Sequence, residues 1–208
     1  DIRLSSPSMA SALIQGLRDQ GVNVLDIGLG GTEMVYFGAF HLEEAGVDGG
    51  LMVTASHNPA DYNGIKFVTC GARPVSRDNG LLEIESAAIK NDFVKAATEG
   101  ALEQYDILPA YIEHLLSYID ISNLKNLKVV TNPGHGGAGL VIDALAPHLP
   151  LSFVRVQHEP DGHFPCGIPN PLLPDNRQAT SEAVLKHEAD FGIAWDGDFD
   201  RCFFFDEK

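Results

Sequence analysis

Three stretches of the sequence carry residue types that do chemistry. The first is Thr54–Lys66, TASHNPADYNGIK. The apolar run Gly50–Ala55 delivers the hydroxyl of Ser56 into a segment that cannot stay a strand. Asn58-Pro59 forces an extended or turn conformation, and Asn63-Gly64 is a turn pair. Ser56 is thereby held on a tight loop at the carboxyl end of a strand, where open α/β sheets bind ligands. His57 adjoins it, and Lys66 returns on the next strand. A polar turn with a capping serine satisfies the same residues. Adjacent residues rarely make a nucleophile–base pair, so Ser56-His57 does not read as a hydrolase triad.

The second stretch is Asp196–Arg201, DGDFDR. Three carboxylates alternate on a short loop after an apolar strand. Like charges this close cost energy unless a cation neutralises them. Hard oxygen ligands select Mg²⁺ or Ca²⁺. Asp196, Asp198 and Asp200 fall at positions 1, 3 and 5 of an EF-hand loop, with Glu207 at position 12. That reading fails, because position 6 is Arg201 where the sharp turn needs glycine, and the flanks are strands. Mg²⁺ is the better expectation, since it keeps water and takes phosphate oxygens. A solvated acidic turn is the plainer alternative.

The third is Asn132–Gly139, NPGHGGAG, between a strand and a helix. Gly134, Gly136 and Gly139 match G-x-G-x-x-G, and Glu159 follows about twenty residues on, as in a dinucleotide site. The alternative is a turn whose glycines let helix and strand pack closely.

The positions of these loops follow from the elements around them. Ser6-Pro7 starts a helix with Pro at the first helical position. Ala10, Leu13, Ile14 and Leu17 give it one apolar face, and Gly21 a stop. Val22–Ile27 reads as a strand. Thr32 caps a helix through about Ala45, with Tyr36, Phe37 and Phe40 facing the core. Gly50–Ala55 and Ile65–Val68 read as strands, and Leu81–Lys90 as a helix. A boundary falls near Gly100–Asp106. Leu108, Ile112, Leu115 and Leu116 form the next helical face. Then come a strand at Lys128–Thr131, a helix at Ala138–His148 and a strand at Phe153–Val156. Asp161–Pro174 is a proline-rich loop, Gln178–His187 a helix and Phe191–Trp195 a buried strand. The fold class is α/β: two successive α/β domains, residues 1–106 and 107–208, each a mixed, mostly parallel sheet flanked by helices.

Composition excludes several functions. Fourteen Lys and Arg against 29 Asp and Glu leave a net charge of −15 over 208 residues. A nucleic-acid binder needs a basic face, and an anionic membrane repels such a chain. No apolar run spans a membrane. Cys70, Cys166 and Cys202 form no CxxC or Cys/His cluster, so neither zinc nor a disulfide framework is expected. An odd number of thiols points to a reducing compartment, the cytoplasm. Asp1 in place of Met predicts a cropped start, where a secretory signal would go unseen. Cys202–Asp206 reads as a strand that stops at Glu207-Lys208 with nothing to pair against, which predicts a cropped end.

TASHNPADYNGIK and DGDFDR, in this order and about 140 residues apart, resemble the active-serine and metal loops of the α-D-phosphohexomutase superfamily. The flanks Gly30–His41, Gly71–Pro74, Asp161–Arg177 and Ile193–Glu207 are similar to its bacterial phosphomannomutase branch. The resemblance covers essentially the whole chain. It implies that Ser56 is phosphorylated in the active enzyme. It makes Asp196, Asp198, Asp200 and the phosphoryl group on Ser56 the ligands of Mg²⁺. It places Lys66 beside the phosphoserine, for proton transfer or charge neutralisation, and Arg201 near the same group. His57 and Asn58 belong to the same loop. Gly134–Gly139 becomes part of the second domain's fold, with no dinucleotide.

The implied activity interconverts mannose 6-phosphate and mannose 1-phosphate through a phosphoserine enzyme. Hexose 1,6-bisphosphate is its intermediate and activator. Phosphoglucomutase or dual-specificity activity is the first alternative, and a non-catalytic Mg²⁺- or Ca²⁺-binding module the second. The resemblance also implies parts this chain lacks: the third domain's sugar-selecting loop, the fourth domain's phosphate-gripping loop, and an N-terminal stretch with an active-site arginine. Asp1-Ile2-Arg3 matches a later D-x-R-L-S segment, so Arg3 receives no such role.

Overall fold

A computed structural model of the chain describes residues 1–206. Glu207, and with it position 12 of the rejected EF-hand loop and the expected strand end at Glu207-Lys208, lies outside the described residues. The chain forms two α/β units flanked by helices: parallel and antiparallel pairings are split between two sheets in the first and combined in one mostly parallel sheet in the second.

The first unit runs through helix α1 (Ser6–Asp19), strand β1 (Val24–Asp26), helix α2 (Thr32–His41) and strands β2 (Gly49–Val53), β3 (Ile65–Thr69) and β4 (Arg73–Pro74). Helix α3 (Leu82–Lys90) and strand β5 (Leu102–Gln104) follow. β2, β3 and β4 pair antiparallel, with Val53 opposite Ile65, so residues 54–64 are a hairpin loop. β1 pairs parallel with β5. The stretch read as a boundary at Gly100–Asp106 therefore contributes a strand to the first unit. Its three residues are exposed and have one partner strand among the described residues, so no hydrophobic period marks it.

The second unit holds helix α4 (Leu108–Leu116), strand β6 (Lys128–Asn132), helix α5 (Ala138–Leu145) and strand β7 (Ser152–Arg155). It closes with helix α6 (Gln178–His187) and strands β8 (Phe191–Trp195) and β9 (Cys202–Phe205). Its sheet has the order β7-β6-β8-β9, parallel except for the last pair. β9 was expected to have nothing to pair against, yet it runs antiparallel to β8, with Trp195 opposite Cys202. The acidic stretch 196–201 is the loop of that hairpin. Both chemical loops thus sit at hairpin ends, where strands fix their bases.

The two units share one apolar cluster. Met34 and Phe37 of α2 pack with Ile107, Tyr111 and Ile112 at α4 and with Val141 of α5. Such close-packed contacts transmit position with little give. α2 departs from expectation in two ways. Its N-cap is Gly31, and Thr32 spends its side chain elsewhere. Phe40 does not face the core but is 61% exposed, because α2 ends at His41 and its buried stripe runs through Met34, Val35, Phe37 and Ala39.

Candidate active site

The loop after β2 and the loop after β8 meet. Ser56 has φ 51°, a left-handed conformation uncommon for a residue with a side chain. Its backbone N–H donates to Thr54 Oγ1 at 2.8 Å. Its hydroxyl donates to Asp196 Oδ2 at 2.7 Å, and Arg201 Nη2 donates to the same Oγ at 2.6 Å. The approach is close enough that a Cβ at Gly197 would lie 2.7 Å from the Ser56 carbonyl oxygen.

Asp196 and Asp198 are fully buried, and Asp200 is partly exposed. One oxygen from each of the three lies within 4.8 Å of the others. Asp198 Oδ2 accepts from Lys66 Nζ and Thr32 Oγ1, each at 2.7 Å, and faces Thr54 Oγ1 at 3.2 Å. Lys66 Nζ also donates to Asp200 Oδ2 at 2.8 Å. Arg201 Nε donates to Asp196 Oδ2 at 3.0 Å. Three carboxylates thus face two side-chain cations, leaving one formal negative charge. Among the described residues Asp198 Oδ1 and Asp200 Oδ1 are buried and make no hydrogen bond, with Asp200 Oδ1 lying 3.4 Å from Arg201 Nε and Asp198 Oδ1 fully orphaned. An orphaned carboxylate oxygen is costly in a protein interior. Hard oxygens with that residual charge suit a divalent cation, so the triad fits a metal ion.

Burial pushes the Asp196 carboxyl above the ordinary carboxylate value, with Asp198 and Asp200 adding to the rise, despite the hydrogen bond from Ser56. Arg201 is pushed upward as well: burial opposes this, and Asp196, Asp200 and Asp198 together outweigh it. An ion pair alone would lower the acid, so desolvation wins at Asp196. Burial also opposes ionisation of Asp198, but hydrogen bonds from Lys66 and Thr32 hold it below the ordinary value. Burial disfavours charge on Lys66, and Asp198 and Asp200 more than reverse that. Lys66 is therefore a fixed ammonium. It sits on the aspartates, and no hydrogen bond joins it to Ser56 among the described residues.

The other predicted residues divide. His57 Nδ1 lies 3.2 Å from Ser56 Oγ, but Arg201 donates to the same nitrogen, which engages its lone pair. Asn58 turns away: its Nδ2 donates to Ala55 O at 2.8 Å and builds the turn. Thr32, Thr54 and Arg3 were not marked by the sequence. Thr54 stood in the quoted loop and Thr32 at a helix start, so a hydroxyl at a strand end and one at a helix N-terminus were the available signals.

The glycine-rich loop packs against protein. A Cβ at Gly136 would lie 2.8 Å from Pro133 O, and one at Gly139 would lie 2.5 Å from His158 O. These glycines let β6, α5 and the following loops approach one another.

A fold of two α/β units with a loop serine against a triple-aspartate loop defines a class of protein. Residues 1–95 match phosphoglucomutase/phosphomannomutase, alpha/beta/alpha domain I, and residues 109–208 match domain II of the same description. The chain belongs to the phosphoglucomutase/phosphomannomutase family. It is 60% identical over 206 residues to the phosphohexose mutases protein of Xanthomonas campestris pv. campestris, covering 99% of this chain and 45% of that one. It is 54% identical to the phosphomannomutase of Salmonella montevideo, covering 100% of this chain and 46% of that one. A family member from Burkholderia thailandensis of known crystal structure superposes with a TM-score of 0.88 at 34% identity, over 99% of this chain and 44% of that one. The chain therefore spans about half the length of the relatives it matches. No helix among the described residues is long and apolar enough to cross a membrane.

Proposed function

We propose that this chain carries the phosphoryl-donor and metal halves of a phosphomannomutase, divided at residues 106 and 107 into a serine domain and a metal domain. The single observation that supports the reading best is the direct contact of Ser56 Oγ with Asp196 and Arg201. The third and fourth domains of the longer relatives would supply sugar selection and the grip on the non-reacting phosphate.

Phosphoserine 56 donates its phosphoryl group to the 1-hydroxyl of mannose 6-phosphate. The sugar oxygen bonds to phosphorus as the bond to Ser56 Oγ breaks, and the proton the sugar loses is matched by the one Oγ gains. The bisphosphate turns, and its 6-phosphoryl group returns to Ser56. In that return the bond from the 6-oxygen to phosphorus breaks as Oγ bonds to phosphorus, and the proton Oγ loses is matched by the one the 6-oxygen gains. Arg201 balances negative charge at Oγ, and Lys66 holds Asp198 and Asp200 in place. Asp196, Asp198, Asp200 and the Ser56 phosphoryl group would hold Mg²⁺, which would supply electrostatic polarisation of the phosphoryl oxygens. Hexose 1,6-bisphosphate recharges Ser56. With a net charge of −15, these local cations are what draw an anionic sugar. The substrate is a phosphorylated hexose, with neither nucleic acid nor membrane as partner, and the free thiols of Cys70, Cys166 and Cys202 suit the cytoplasm.

The Xanthomonas relative bears the broader name of phosphohexose mutases. That favours carrying glucose phosphates as a second substrate reading. The test is phosphorus NMR of the full-length enzyme with Mg²⁺, a trace of hexose bisphosphate, and mannose or glucose 6-phosphate in turn. Conversion of mannose 6-phosphate to the 1-phosphate supports the reading. Conversion of glucose 6-phosphate alone replaces the substrate, and conversion of neither rejects it.

A further inference from the structure

We propose that Arg3 is a positioning residue for Ser56, acting through the backbone of the serine loop. The inference rests on the phosphoserine reading above. Arg3 is 1% exposed. Its Nη1 donates to Pro59 O at 2.6 Å and Tyr62 O at 2.9 Å. Its Nη2 donates to Ser56 O at 2.9 Å and Asn58 O at 2.7 Å. Four of the five guanidinium N–H groups thus go to four carbonyls of one loop. The fifth, at Nε, faces Asp1 Oδ2 at 3.4 Å. Asp1 Oδ2 in turn accepts from Thr54 Oγ1 at 2.8 Å, the hydroxyl that receives the Ser56 N–H.

A buried cation is costly unless its donors are matched. Here the matching partners are loop carbonyls, with one carboxylate behind them. Their convergence on Arg3 holds the loop in the shape that gives Ser56 its left-handed φ of 51°. Backbone in that region persists only when its surroundings determine it. The rear of Arg3 is fixed by the second unit. Its guanidinium carbon lies 5.5 Å from the centroid of the buried Phe164 ring, in the proline-rich loop. Gly162 of that loop is pressed so close that a Cβ would lie 2.2 Å from Ile2 O. Arg3 therefore ties the serine loop and the unit carrying the aspartates into one rigid arrangement. The reach of Ser56 Oγ to Asp196 depends on it. Lysine cannot substitute, because an ammonium has three donors at one point and no planar fork.

The test is rapid-mix phosphorylation of dephosphorylated full-length enzyme by glucose 1,6-bisphosphate. It follows the rate and the final amplitude of Ser56 phosphorylation in wild type, Arg3→Lys and Phe164→Leu. Misplacement of a reacting group by about 1 Å costs on the order of 100-fold. Arg3→Lys is expected to slow phosphorylation at least ~10-fold. Amplitude, KM for the sugar phosphate and metal affinity are expected to stay at wild-type values. Phe164→Leu slows it in the same direction by a smaller factor. A wild-type rate in Arg3→Lys overturns the inference. So does a reduced amplitude with an unchanged rate, which marks a role in folding only. If Arg3→Lys gives no cooperative melt, Phe164→Leu decides: a slower rate at full amplitude supports the role, and an unchanged rate overturns it. A wild type that never phosphorylates Ser56 fails differently, and rejects the functional reading from which this one starts.

Discussion

Ser56 donates its hydroxyl hydrogen to Asp196 Oδ2 across 2.7 Å, although 140 residues separate them in the chain. The bond joins the hairpin loop after β2 to the hairpin loop after β8. Neither loop is a site alone. The first holds the hydroxyl, and the second holds three acids with too few cations.

The residual negative charge of the triad predicts the consequence of removing one carboxylate. Asp198→Asn is expected to weaken Mg²⁺ binding by at least ~10-fold, since even outer-sphere partners of a metal are worth about 10–100-fold. Titration calorimetry of the full-length variant measures this. Wild-type affinity would place the ion elsewhere.

Thr32 donates to a fully buried carboxylate and accepts from Lys66 at 3.0 Å. Thr32→Val removes the hydroxyl at nearly constant volume. Loss of a charge-assisted bond in the interior costs about 1.5–3 kcal/mol. For a chain of this size that lowers Tm by roughly 3–12 °C. A calorimetric melt within about 1 °C of wild type would show that Lys66 alone holds Asp198.

Phe199 has φ 49° and rests its ring on Gly31, where a Cβ would lie 2.2 Å from the ring edge. Gly31→Ala must therefore displace the ring or the acidic loop that carries it. Overpacking of this kind costs about 1–3 kcal/mol. Denaturant melts are expected to show that loss, and metal affinity is expected to fall with it. The double variant Gly31→Ala/Phe199→Leu, which makes room, is expected to recover part of both. An additive double variant contradicts the contact.

Tyr111 lies in the cluster shared by the two units, 7% exposed. Burial, with a smaller contribution from Glu33, pushes its pKa from 10.0 up to about 12. The folded state keeps the phenol proton longer than the unfolded chain. Its contribution to stability is intact below about pH 10 and is lost as pH rises toward about 12. The loss amounts to roughly 3 kcal/mol at the upper limit. Urea midpoints taken between about pH 9 and about pH 11.5 are expected to fall more steeply in wild type than in Tyr111→Phe. Parallel slopes would mean that Tyr111 ionises freely in the folded protein.

Elements held by their own periodicity were legible in the sequence. α4, α6 and β8 lie where their apolar spacing puts them. Both loops were legible because Pro, Gly and alternating Asp leave few other conformations. Partners supplied from a distance were not. β5 is three exposed residues whose one strand partner among the described residues is β1, 78 residues away at Val24. β9 read as unpartnered because its partner precedes it across the very loop that was being read as a site. Phe40 has an apolar side chain, but only the end of α2 decides that it points outward. Arg3 is the extreme case. It is a charged residue near the start of the chain, and its four acceptors lie 53 to 59 residues away. No local pattern marks a buried arginine.

The central claim is that Ser56 is the phosphoryl carrier. Intact-mass spectrometry of the full-length enzyme after incubation with hexose 1,6-bisphosphate and Mg²⁺, followed by peptide mapping, tests it most directly. One added phosphoryl group on the peptide carrying Ser56, absent in Ser56→Ala, is the predicted result. Stoichiometric phosphate on another residue, or none under conditions where the sugar binds, would contradict the account.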